Sequence, residues 1–192
     1  MVEALALVEL DSVARGMRAV DALLKRAAVR VHEANLIEPG KYLILFSGPV
    51  ADVEEAYQAA CETGGDRVVE RMLLPVVHRG LTRGLMGLED RDDPDCLGVV
   101  EGKHVAGVLE ACDRSLKEAE VALCGIRVAG ALGGRAYYVV KGLQHDVEAA
   151  LEAGERVLKR RGTLYASERI ARPHPEFLAW LLRPAPFSPG GL

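Results

Sequence analysis

Aromatic residues are scarce in this 192-residue chain, at 5% with a single Trp. So few large rings imply a core of Ala, Val and Leu, with thin elements packed at short spacing. No apolar run approaches the roughly 18 residues that a membrane helix needs. The start, Met1-Val2-Glu3, lacks the basic stretch and small-residue cleavage site of a secretory signal. The four cysteines, Cys61, Cys96, Cys112 and Cys124, are widely spaced with no C-x-x-C pair, which reads as reduced thiols in a cytoplasmic chain. A net charge of -4 gives no basic excess for general nucleic-acid binding. Catalytic patterns are missing too. There is no nucleophile elbow and no phosphate loop, and His32, His104 and His145 stand apart rather than at zinc-ligand spacing. The expectation is a chain that is not an enzyme, holds no cofactor or metal, and meets neither membrane nor nucleic acid.

What is present is an internal repeat. At 49% hydrophobic and 27% charged the chain is an ordinary globular one. Shifted by 92 positions, Leu5-Ala-Leu-Val-Glu9 falls on Leu97-Gly-Val-Val-Glu101. The register holds through Val13-Ala14 on Val105-Ala106, Ala19 on Ala111, Asp21 on Asp113, Leu24-Lys25 on Leu116-Lys117, Ala27 on Ala119 and Val29 on Val121. After a two-residue insertion Gly40 meets Gly134, Gly48 meets Gly142 and Asp52-Val53-Glu54 meets Asp146-Val147-Glu148; two residues later His78 meets His174. A repeat this long fixes the architecture before any motif does. The domains are 3–80 and 95–182. Between them 81–94 reads as a linker, a solvated connector starting at Arg79 with glycines and the acidic run Glu89 to Asp93; 183–192 reads as a flexible tail.

Each copy changes period in the same order. Ala4 to Val8 and Leu97 to Val100 are strands. Ser12 can cap a helix with Met17, Val20, Leu24 and Ala27 on one face; its counterpart uses Val105, Leu109, Cys112 and Leu116. Two strands follow, Val29 to Ile37 and Lys41 to Phe46, or Val121 to Val128 and Ala136 to Val140. A second helix starts near Val50 or Gln144, with Asp52 or Asp146 in its first turn. A last strand runs from Val68 to Val76, or from Thr163 to Ile170. The fold class is α+β: two tandem β-α-β-β-α-β units, each an antiparallel sheet with two helices on one face, the ferredoxin-like arrangement. His78 and His174, being repeat-related, read as a shared structural position.

Leu5-Ala-Leu-Val-Glu-Leu followed by Val13 to Ala27, and Gly98-Val-Val-Glu101 followed by Val105 to Lys117, resemble the opening of a bacterial microcompartment shell domain. The closing Ile170-Ala-Arg-Pro-His174 is similar to the ending of many such domains. Two copies in unpermuted order resemble the tandem-domain shell proteins, notably the propanediol-utilisation type. The resemblance implies a homotrimer whose six domains form a pseudohexagonal tile with a central pore for small metabolites, meeting hexameric and pentameric shell proteins in the envelope. It implies that Ile37, Glu38, Pro39 and Gly40, and Gly130, Ala131, Leu132, Gly133 and Gly134, line the pore, and that Lys25, Lys117 and Arg172 contact neighbouring tiles. The propanediol-type relatives carry a cysteine where this chain has Glu38, and three copies of it hold an iron-sulfur cluster. A carboxylate is a poor substitute for that soft ligand. Three Glu38 side chains would instead form an acidic ring, unless Glu38 pairs with Lys41 or points to solvent. Two other readings stay open: a shell protein with a metal or iron-sulfur centre on the axis, and a ferredoxin-like small-molecule sensing module.

Overall fold

The computed structural model describes residues 4–88, 94–128 and 132–181. It divides into two compact units, Met1–Val77 and His78–Leu192.

In the first unit β1 (Ala4–Leu10), α1 (Val13–Arg26), β2 (Arg30–Ile37), β3 (Lys41–Gly48), α2 (Val50–Gly64) and β4 (Val68–Leu74) follow in order. The sheet runs β2-β3-β1-β4, every pair antiparallel. Alternate residues Ala4, Ala6, Val8 and Leu10 of β1 face the two helices, where they meet Ala19 and Leu23 of α1 and Val53, Ala56 and Ala60 of α2. The predicted α1 cap is present: the Ser12 hydroxyl accepts the Arg15 N–H at 3.3 Å. The predicted packed face of α1 is turned. Met17 and Leu24 are more than half exposed, whereas Gly16, Ala19 and Leu23 are buried. The cause is close approach: a Cβ on Gly16 would fall 2.4 Å from the Tyr42 ring, so the helix comes down on its small residues.

The second unit holds α3 (Arg79–Leu85), β5 (Cys96–Gly102), α4 (Val105–Glu118), β6 (Ala122–Val128), β7 (Ala136–Gly142), α5 (Gln144–Arg161), β8 (Leu164–Ala171) and α6 (Pro175–Leu181). Its sheet order, β6-β7-β5-β8, repeats the first. Here the predicted face of the α4 helix is right: Val105, Leu109, Cys112 and Leu116 are all buried. The expected solvated connector from Arg79 is corrected in part. Residues 79–85 are helical and packed, with Leu81 fully buried, because Gly84 lets the helix lie directly on Leu123 and Ile126 of β6. The acidic run 89–93 and the tail 183–192 lie outside the described residues. Among the described residues no helix is long and apolar enough to cross a membrane.

Candidate functional site

The β2–β3 hairpin turns in three residues. Ile37 pairs with Lys41, and Gly40 donates its N–H to the Ile37 carbonyl at 3.0 Å. Gly40 sits at φ +98, where a side chain would be strained, so the glycine is required by the turn. Glu38, Pro39 and Gly40 are exposed and Ile37 is half-buried. In the β6–β7 hairpin Gly133 and Gly134 have positive φ, and Arg135 N–H returns to the Leu132 carbonyl at 3.2 Å. Gly130 and Ala131 lie outside the described residues.

Both loops are tied down at the same foot. Lys41, the first residue after one loop, places Nζ 3.0 Å from Oε2 of Glu9, whose side chain is completely buried in β1. Arg135, just after the other, places a guanidinium nitrogen 2.6 Å from Oε1 of Glu101 in β5 and lies over the Tyr165 ring at 4.4 Å. The pairing offered for Glu38 with Lys41 is therefore not formed; Lys41 is turned inward to Glu9, and among the described residues Glu38 makes no ion pair. The anchors escaped the reading of the sequence. Their signal was there: a glutamate repeated inside an otherwise apolar strand, and a basic residue after each loop.

The edge residues fall in three different settings. Lys25, in the last turn of α1, pairs with Asp21 at 2.6 Å, both exposed. Lys117 makes the same i,i+4 pair with Asp113, also at 2.6 Å, but Asp113 is buried and its other oxygen accepts the His78 backbone N–H at 2.7 Å. Arg172 is exposed, holds φ +46, and donates its N–H to the Asp95 carbonyl at 2.8 Å. Left-handed geometry at a residue other than glycine costs on the order of 1 kcal/mol. Lys25 and Lys117 stand at repeat-equivalent places in the last turns of α1 and α4, and Arg172 follows β8. His78 and His174 do share a role, each capping a short helix: Nδ1 accepts the Gly80 N–H at 3.1 Å in one and the Glu176 N–H at 3.3 Å in the other.

None of the four cysteines is in a disulfide, and burial pushes the thiols of Cys61, Cys96 and Cys112 up, away from the thiolate form that binds metal. Cys124 packs on β6 against Leu97, Val139 and Leu178 as a small apolar side chain. Among the described residues no group of three His, Cys, Asp or Glu is assembled.

The BMC domain family matches this chain twice, over residues 4–77 and 96–173. The bacterial microcompartment shell protein PduT of Citrobacter freundii is 34% identical over 174 residues, covering 91% of this chain and 95% of that protein. The carboxysome shell protein CsoS1 of Prochlorococcus marinus is 40% identical over 81 residues, 42% of this chain and 77% of its own. Among solved structures, a microcompartment protein from Desulfitobacterium hafniense superposes with TM-score 0.81 at 32% identity, covering 92% of this chain and 98% of its own. Two matches that together span most of the sequence, and a relative aligned end to end, carry the assignment. The chain belongs to the BMC-domain family and is a tandem-domain shell protein of a bacterial microcompartment.

Proposed function

We propose that three copies of this chain form a pseudohexagonal tile whose hairpin loops surround a central opening. The observation that carries this reading is the equivalence of the two hairpins. Each presents a short glycine-bearing loop and is clamped to its central strand by a basic residue on a repeat-related glutamate. A chain with two such units closes a ring through contacts between unlike faces, as cyclic oligomers do. Three exposed Glu38 side chains near the axis would disfavour anionic metabolites and favour neutral or cationic ones. Lys25, Lys117 and Arg172 would then meet hexameric and pentameric shell proteins at the rim. The relatives named above are shell proteins, which favours the tile over a sensing module, and the protonated, buried thiols speak against an iron-sulfur centre.

Native mass measurement and electron microscopy test the tile. Wild-type protein is expected at three chain masses and, with a hexameric partner, in flat sheets. The pair Lys25→Gln and Lys117→Gln, which keeps a donor beside Asp21 and the buried Asp113, should keep the trimer and lose the sheets. A single-chain mass would defeat the trimer, and unchanged sheets would remove the lysines from the rim.

A further inference from the structure

A hollow of about 280 Å³ lies in the second unit, between α3 and the entry to β6. Leu116 of α4 and Val121, Ala122 and Leu123 at the start of β6 give it apolar walls. His78 and Arg83 line it from the side of α3. A few polar groups set among apolar walls is the usual make-up of a small-molecule site, and this volume sits at the small end of that range.

Both polar side chains are donors without an acceptor. His78 Nδ1 accepts the Gly80 N–H at 3.1 Å, so the ring carries a proton on Nε2, and among the described residues nothing accepts it. Arg83 is exposed, and among the described residues its guanidinium makes no ion pair. The carboxylate of Asp113, which holds the start of α3, is already committed. One oxygen accepts the His78 backbone N–H at 2.7 Å and the other pairs with Lys117 at 2.6 Å. Nor does the fold require an arginine at this place. The helix α6 begins on the same kind of histidine cap, and its residue matching Arg83 is Ala179.

We propose that this hollow binds a small aliphatic carboxylate. The carboxylate meets the Arg83 guanidinium and the His78 Nε2–H, and the alkyl chain lies along Leu116, Val121 and Leu123. Paired N–H donors of a guanidinium match the two oxygens of a carboxylate. A phosphate would set further charged oxygens against leucine and valine, where nothing offsets their desolvation. The site is at the opposite end of β6 from the β6–β7 loop, and it does not depend on the trimer put forward above.

Hexanoate is the probe, titrated into the full chain by calorimetry, with saturation transfer to its methyl group read by NMR. Wild-type protein is expected to bind it with a Kd of roughly 1 mM, as befits so small a ligand. Arg83→Gln should weaken binding about tenfold through loss of a charge-assisted hydrogen bond, with thermal unfolding unchanged. Arg83→Lys should recover part of the loss, and Ala122→Leu, which fills the hollow, should abolish binding. Hexanamide, with the same chain and no charge, should not compete. Three results would each overturn the proposal: no saturation transfer with wild-type protein, hexanoate binding undiminished by Arg83→Gln, or displacement of hexanoate by an equal concentration of inorganic phosphate. The last would mark an adventitious anion on a surface arginine.

Discussion

The two repeats build one backbone around different side chains. In the first unit Leu23, Ile44 and Ala60 meet the core as three apolar groups, all fully buried. At the matching positions the second unit has Ser115, Tyr138 and Gly154. The Tyr138 ring fills the space, its hydroxyl meets the Ser115 hydroxyl at 2.7 Å, and Ser115 donates to the Ala150 carbonyl at 2.6 Å. A Cβ on Gly154 would sit 2.0 Å from the Tyr138 oxygen. Leu10 beside Gly64 in one unit becomes Gly102 beside Leu158 in the other. What persists is alternation along the strands and a filled contact between sheet and helices; identity is free to change. The loop feet show the opposite behaviour, since a cation on a glutamate is kept in both.

The comparison can be broken at its feet first. Lys41→Met removes the cation beside a carboxylate that water cannot reach, and is expected to cost about 3 kcal/mol in denaturant unfolding. Arg135→Met should cost about 1 kcal/mol, because Glu101 remains a quarter exposed. Equal losses at the two feet would show that burial does not set the difference.

An effect between these two should come from the second core. Gly154→Ala drives a methyl into the Tyr138 hydroxyl and is expected to destabilise by about 2 kcal/mol. Tyr138→Phe should relieve part of that loss, so the two changes together cost less than their sum. Strict additivity would mean that the clash is absorbed elsewhere.

The smallest difference concerns pH. His32 in β2, whose counterpart in β6 is Cys124, bonds Ser47 Oγ at 2.6 Å. Desolvation, helped by the Arg30 charge, holds the His32 imidazole below its usual range. The unfolded chain therefore binds the proton more readily, and stability is expected to rise with pH between the lowered value and about 6.5. His32→Gln should flatten that slope. An unaltered slope in this variant would place the titration on another group.

Much of this is legible in the sequence. Eight strands and the four long helices followed from period and repeat, and the cap at Ser12 and the shared role of His78 and His174 followed from position. Two features were misread for one reason. The large residues Met17 and Leu24 point to the wrong packed face of α1, because the helix descends on Gly16 and Ala19. The stretch after Arg79 looked like a connector because of its glycines, although Gly84 is there to let a helix touch β6. Glycine and alanine signal a turn or nothing in a linear reading, and close approach only when the opposing surface is known.

By itself, then, the sequence determined the doubled β-α-β-β-α-β pattern, the placement of both hairpin loops and the acidic tip at Glu38, because period and repeat are written along the chain. Only the tertiary structure decided that Lys41 belongs to Glu9 rather than Glu38, that Gly154 makes room for Tyr138, and that α3 packs on α4 and β6. Those choices are made by volumes and charges meeting across elements far apart in sequence, and no local period records which surfaces will touch.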